Sequence, residues 1–139
     1  MSSYPINKYV NHNKYKTSID SLKNSGKMHL RSDIQGYKKK QISNNEMDIL
    51  TNIKQMLKKH NSNYYVIVTP LYDQLKFNAA DSKILNQIFE GKIYDFSGIN
   101  SITSNEYNFP DVKHFIPSIS KSILDSIIIS NNFLKNISL

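Results

Sequence analysis

Asp111 and His114, near the C-terminal end of the chain, have the residue types and the spacing of an acid–base pair. They stand three residues apart in the segment 108–117, which reads NFPDVKHFIP. In nucleophilic catalysis an imidazole takes the proton of the attacking group, and a carboxylate orients the ring and stabilises its charged form. The pair therefore predicts two members of a catalytic triad, with His114 as base and Asp111 as its partner. A surface loop pair, with Asp111 as a turn residue after Pro110, is the alternative interpretation.

Asp95 and Ser97, within residues 92–98, could also take part in catalysis or ligand binding. Asp95 lies at the end of a predicted strand, where α/β proteins place ligand groups, although capping or turn formation explains it equally. Ser97 carries a hydroxyl, but a nucleophilic serine of this kind needs a sharp turn from strand to helix. Ser97 is followed by Gly98 and a loop, so the sequence does not favour it as the nucleophile.

The remaining histidines do not form a metal site in the sequence. His12, His29 and His60 are scattered, no two of them have metal-ligand spacing, and no carboxylates cluster near them. The chain contains no cysteine, which excludes a disulfide, a thiolate metal site and a cysteine nucleophile. We therefore expect no metal site, and the enzyme class considered below implies no organic cofactor.

The first element predicted to help position the pair is a helix whose start and end are both marked in the sequence. Ser43 and Glu46 have the spacing of a capping box. In this motif the Ser side chain accepts the backbone N–H of the Glu, and the Glu side chain accepts the backbone N–H of the Ser. The spacing of the apolar residues that follow is helical, at Met47, Leu50, Ile53, Met56 and Leu57. Basic residues at 58–60 suit the negative end of the helix dipole. The pattern predicts a helix over 44–60.

The rest of the chain alternates strand and helix signals. Residues 64–69 (YYVIVT) predict a strand buried on both faces. Asn78 predicts the cap of a second helix that ends near Gly91, and residues 92–96 predict a second strand. After a loop over 97–115, Pro117 fits the first turn of a last helix. Its apolar face is expected to hold Ile116, Ile119, Ile123, Ile127 and Phe133. This order predicts a βαβ unit and an α/β class.

The N-terminal residues 1–42 differ from the rest in composition. They are polar, rich in Tyr and Lys, and without a sustained period, so we expect an irregular arm with a short helix near 17–22. We therefore divide the chain into this arm and an α/β part over 43–139. Tyrosines alternate with lysines in the arm, at Tyr4, Tyr9, Tyr15 and Tyr37 and at Lys8, Lys14, Lys16 and Lys38, a pattern that could stack on bases or carbohydrate.

The net charge and the distribution of basic residues limit the kinds of partner that the sequence predicts. The net charge is +7 and the isoelectric point is about 9.5, but the basic runs are short and Arg31 is the one arginine. Because nucleic-acid readers rely on bidentate arginine contacts, this pattern disfavours nucleic-acid binding. No apolar run is long enough to predict a transmembrane helix, and the N-terminus has no signal-peptide pattern. The composition does not fix the compartment.

From about Ser43 onward, the chain resembles the C-terminal part of an SGNH (GDSL-like) hydrolase. The resemblance rests on the helix that leads into VTPLY at 68–72, on YDFSG at 94–98, and on the Asp-x-x-His block DVKHF at 111–115 before a closing helix. It is closest to bacterial members tied to cell-surface polysaccharide or teichoic-acid modification. The Gly-Asp-Ser block that carries the nucleophile in this family has no match here, nor has the Gly-x-Asn-Asp block of the oxyanion hole.

The resemblance implies a flavodoxin-like three-layer α/β/α fold, here in partial form. It implies a serine esterase or acyltransferase-related module, with His114 as general base and Asp111 as its partner, acting on a small acyl ester or an acylated carbohydrate. The attacking serine would come from a missing N-terminal portion or from another copy in a homo-oligomer; a degenerate relative is the other interpretation. From a different class, the alternative is a non-catalytic module that binds an anionic polymer or a protein through its basic arm.

Overall fold

A computed structural model of the chain describes residues 13–137, and side chains are described for residues 15–131. The elements follow the chain in the order α1 Asn13–Asn24, α2 Asn44–Lys59, β1 Val66–Val68, α3 Ala79–Ile88, β2 Ile93–Asp95, a 3-10 turn Glu106–Asn108 and α4 Pro117–Ile137. The strands β1 and β2 form a parallel pair, so this part of the chain has a mixed α/β fold, as the sequence predicts.

The two strands are joined through α3 and are shorter than predicted. Ile67 pairs with Tyr94 at the centre of the register, and the backbone N–H of Val66 donates to the carbonyl of Lys92 at 2.9 Å. All six strand residues are half-buried, so the prediction of a strand buried on both faces is wrong for β1. The reason is that no third strand pairs with β1 or β2 within residues 13–137.

Helices pack on both faces of this strand pair. Side chains alternate across a strand, so neighbouring strand residues reach different clusters. Ile67 and Tyr94 pack against a core cluster to which α1 contributes Ile19 and α4 contributes Ile123, together with buried residues of the loops. A second cluster lies against the other side chains of the strands, and its members are Ile42, Leu85 and Phe89 with Leu50, Leu57, Tyr64, Val66, Val68, Phe77, Ile84, Ile88 and Ile93 packed around them.

The capping signals in the sequence are confirmed. The carboxylate of Glu46 accepts the backbone N–H of Ser43 at 2.9 Å, and the Ser43 side chain accepts the backbone N–H of Glu46, so both halves of the capping box of α2 are formed. The hydrogen bonds from Ser43 lower the pKa of Glu46. At α3, the side chain of Asn78 accepts the N–H of Ala80 at 2.9 Å. These local bonds explain why both helices begin where the sequence predicts.

The last helix, α4, begins at Pro117 as predicted and buries one apolar face. That face holds Ile119, Ile123 and Ile127, and Ile116 extends it from the residue before the helix; all four are buried. Ile128 and Ile129 lie outside this face and are 57% and 58% exposed. The side chain of Phe133 lies outside the described residues.

Residues 13–42 differ from the expected irregular arm in two respects. First, the helix in this region spans 12 residues, Asn13–Asn24, and is longer than the short helix expected near 17–22. Second, the segment packs onto the rest of the chain: Ile19 is fully buried, the Tyr72 hydroxyl donates to the carbonyl of His29 at 2.9 Å, and Arg31 donates to the carbonyl of Ser104 at 3.1 Å. These are contacts between residues distant in sequence, which no local pattern reveals.

Candidate functional site

Asp111 and His114 are in direct contact. Nδ1 of His114 lies 2.8 Å from Oδ2 and 3.0 Å from Oδ1 of Asp111. Oδ1 also accepts the backbone N–H of Lys113 at 2.7 Å and that of His114 at 2.9 Å. The carboxylate therefore folds back over its own turn, as Asp does in an Asx turn, and reaches the imidazole at the end of that turn. The structure brings together the two residues that the sequence singles out.

The loop that carries the pair is anchored on both sides by buried residues. Phe109 is fully buried and Ile116 is 1% exposed. The backbone N–H of Ile116 donates to the carbonyl of Asn108 at 2.8 Å, which closes the loop around the pair. Upstream, the Asn105 side chain caps the short 3-10 turn by accepting the N–H of Tyr107 at 3.0 Å. Two core residues and one backbone bond thus fix where the loop begins and ends.

The surroundings of Asp111 keep its carboxyl group ionised at neutral pH. Partial burial is the largest single influence and raises its pKa, but four favourable interactions together outweigh burial. These are the backbone N–H of Lys113, the side chain of His114, the backbone N–H of His114 and the charge of the imidazole. The net result is a lowered pKa for Asp111, because hydrogen bonds and positive charge favour the carboxylate form.

This geometry determines which nitrogen of His114 is available. An ionised carboxylate only accepts hydrogen bonds, so Nδ1, which contacts it, carries the proton. In the neutral ring Nε2 then has a free lone pair and can accept a proton. The imidazole side chain is 73% exposed and the Asp111 side chain 48% exposed, so a reacting group can approach the ring from solvent. The pair can therefore act as an oriented general base.

Asp95 and Ser97 serve a structural role instead. Ser97 is 8% exposed, donates its hydroxyl to Asp95 at 2.5 Å, and accepts the backbone N–H of Phe77 at 2.8 Å. The second oxygen of Asp95 pairs with the ammonium of Lys76 at 2.8 Å. None of these contacts involves His114. The alternative interpretation of Asp95, a turn residue after the strand, describes its contacts.

Two buried polar residues, one beside the loop of the pair and one at the start of α3, were not identified as candidates from the sequence. Asn108 is 2% exposed; its amide donates to the carbonyl of Ile102 at 2.7 Å, while its Oδ1 has no hydrogen-bond partner among the described residues. Asp81 is fully buried and accepts the backbone N–H groups of Gln41 at 2.7 Å and Ile42 at 3.1 Å. The signal for Asp81 was its place three residues after the Asn78 cap, but its burial depends on a segment 40 residues away.

The other histidines and the tyrosines of the arm are dispersed. Within residues 13–137, no group of three or more His, Asp and Glu side chains has the arrangement of a metal site. The ring of His29 packs edge-on against Tyr72, and His60 caps the C-terminus of α2. Tyr15 packs against the core, whereas Tyr37 is 65% exposed. His12, Tyr4 and Tyr9 and the lysine side chains at 8 and 14 lie outside the described residues.

Comparison with known proteins gives no relative for this chain. No protein-family model matches it, and no curated protein or solved structure is significantly similar to it. Among the helices of residues 13–137, none combines the length and the apolar character needed to cross a membrane.

Proposed function

We propose that this chain carries the base-bearing part of an SGNH-type serine esterase or acyltransferase site. In this proposal His114 is the general base and Asp111 orients it. The acyl group comes from a small ester or from an acylated surface carbohydrate. The attacking serine comes from outside the described residues, either from another segment or from another chain. A flavodoxin-like three-layer fold, completed by further strands, belongs to the same proposal.

One observation carries the proposal: the 2.8 Å contact between Nδ1 of His114 and the Asp111 carboxylate, in a pair whose imidazole side chain is 73% exposed. This is the relation between acid and base in a catalytic triad. The turn bonds to the backbone involve Oδ1 of Asp111 alone. Here the second oxygen is directed to the imidazole as well. Helices on both faces of the strand pair support the layered fold.

The chemistry assigned to these residues is a proton transfer in two directions. When the serine attacks the acyl carbon, its hydroxyl proton passes to Nε2 of His114, and the Asp111 carboxylate stabilises the resulting imidazolium. The same proton then passes to the leaving oxygen as the ester bond breaks. In the second half, a water molecule or a sugar hydroxyl repeats these steps and releases the acyl group. Oxyanion stabilisation belongs to backbone amides of the completed site.

The experiment is hydrolysis of p-nitrophenyl acetate, an ester activated enough to respond to an oriented imidazole without a serine. We expect His114→Ala to lower the protein-dependent rate by at least about tenfold, which is less than the 10²–10⁴-fold of general acid–base catalysis in a complete site because no serine is positioned here. His60→Ala is the matched control, because His60 is also exposed and has no carboxylate against its ring in the described structure. Its rate should equal that of the unmodified chain. Equal rates for the unmodified chain and His114→Ala would refute the role of His114.

A further inference from the structure

Helix α2 carries an apolar stripe that the described chain does not cover. None of its 16 residues is buried. Leu50 and Leu57 point inward and pack around the cluster of Leu85 and Phe89, but Ile49, Ile53 and Met56 are 51%, 45% and 64% exposed. A contiguous exposed set of large apolar side chains marks an interaction surface.

The stripe has a regular geometry. Ile49, Ile53 and Met56 stand at positions i, i+4 and i+7, which share one face of a helix. Beside them lies an apolar groove of about 320 Å³. Its lining includes Ile42, Ile49, Leu50, Phe77 and Leu85. The surface around α2 therefore offers a ridge, formed by Ile53 and Met56, next to a groove that starts at Ile49.

We infer that this surface binds a second copy of the chain, with the two α2 helices packed antiparallel about a two-fold axis close to Ile53. In that register Met56 of each copy lies opposite Ile49 of the other, at the mouth of the groove. The unbranched methionine side chain suits an irregular apolar gap. The ridge of one copy thus fills the groove of the other, and the contact is self-complementary, as a two-fold interface requires.

The charges along α2 favour this occupant. The first turn is acidic through Glu46, and the last turn is basic through Lys58 and Lys59. Antiparallel packing sets the acidic turn of one copy at the level of the basic turn of the other, at both ends of the contact. A parallel arrangement would bring like charges together. Because one helix supplies both halves of the pattern, a second copy satisfies it without any other partner.

The size of the contact sets the conditions of the test. One helix and one groove per copy give an interface at the small end of the specific range, below about 1,200 Å². We therefore expect a dimer that forms at protein concentrations of about 100 µM. Each copy carries a net charge of +7, so two copies repel each other. In about 0.15 M salt this repulsion is screened beyond about 8 Å.

Sedimentation velocity on the whole chain distinguishes the outcomes. We expect the unmodified chain to sediment as a dimer at about 100 µM, and Ile53→Lys to sediment as a monomer, with a dissociation constant raised at least tenfold. Ile128→Lys is the matched control, since Ile128 is an exposed isoleucine on α4, and it should leave the dimer intact. Far-ultraviolet circular dichroism checks that each variant is folded. A monomer for the unmodified chain, or a dimer for a folded Ile53→Lys, would overturn the inference.

A cross-link gives a second reading that needs no disruptive substitution. The chain has no cysteine, so a single introduced cysteine can pair only with its copy. Ile53→Cys lies next to the proposed axis and should form a disulfide-linked dimer under mild oxidation, whereas Ile128→Cys should remain unlinked. Linkage at both positions or at neither would contradict the antiparallel α2 contact. Neither measurement depends on the esterase proposal.

Discussion

Asp111 does two things with one carboxylate. Oδ1 closes the turn by accepting the N–H groups of Lys113 and His114, and both oxygens contact Nδ1 of the ring. A spacing of three residues allows this because the turn brings the backbone of the fourth residue under the side chain of the first. The sequence predicted the pair correctly as neighbours because the contact is local. It could not show the buried Asn108, whose environment comes from residues distant along the chain.

The lowered pKa of Asp111 makes the stability of the fold depend on pH. A carboxyl group whose pKa is lower in the folded chain contributes stability above its unfolded pKa of about 3.9. That contribution is lost as the pH falls through the lower folded value. We expect Asp111→Asn, which retains an oxygen for the turn, to unfold more easily than the unmodified chain at pH 7 by less than about 1 kcal/mol, because the pair is exposed. As the pH falls below the unfolded pKa and through the lower folded pKa, the difference should shrink.

Urea unfolding at several pH values between 7 and 2.5 measures this difference. Asp33→Asn is the control, because Asp33 is exposed and its side chain has no ion pair in the described structure. A difference between Asp111→Asn and the unmodified chain that stays constant, or grows, as the pH falls would contradict the assignment.

Among the elements, the starts of α2 and α3 could be predicted best from the sequence. The contact of α3 with residues 41 and 42 of the N-terminal segment could be predicted least. The caps at Ser43 and Asn78 are signals contained within four residues, so sequence and structure agree there. The strands were predicted in place but too long, because the extent of a strand depends on its neighbours. Asp81 shows what the sequence could not predict. The sequence places it in the first turn of α3, but in the structure its carboxylate accepts the backbone N–H groups of residues 41 and 42.

Removing the Asp81 carboxylate should destabilise the chain strongly. Asp81→Ala removes the acceptor of two backbone N–H groups, the part-buried one of Gln41 and the buried one of Ile42, and we expect a loss of about 3 kcal/mol in the free energy of unfolding. Asp48→Ala, at an exposed position of α2, should change it by less than about 0.5 kcal/mol. Chemical denaturation compares the two variants. A loss below about 1 kcal/mol for Asp81→Ala would show that the clamp contributes little.

Across the whole molecule, the described chain joins its N-terminal helix to its C-terminal loops. Lys23 pairs with Glu106 at 2.7 Å across 83 residues of sequence, and Arg31 reaches the carbonyl of Ser104 across 73. Composition led us to expect a separate arm because polar, aperiodic residues dominate residues 1–42 and because the few apolar anchors, such as Ile19, stand alone in the pattern. Contacts of this range follow from packing, not from local propensity, and so were not predictable.

The half-buried strands and the uncovered stripe of α2 are both surfaces that the described residues leave partly open. A parallel pair of strands is small for an α/β sheet, and little apolar surface is available to cover the helices. The α/β class could be predicted from the alternation of strand and helix signals. Which faces would remain exposed could not, since exposure depends on how the elements are placed in space.

The most direct test of the acid–base loop is the tautomer of His114, measured by long-range ¹H–¹⁵N NMR correlation of the imidazole nitrogens under conditions where the ring is neutral. We expect Nδ1 to carry the proton and Nε2 to lack one, and we expect Asp111→Asn to shift the ring toward the Nε2-protonated form that free histidine prefers. A neutral His114 with its proton on Nε2 in the unmodified chain would contradict the account, because the nitrogen assigned to accept a proton would already hold one.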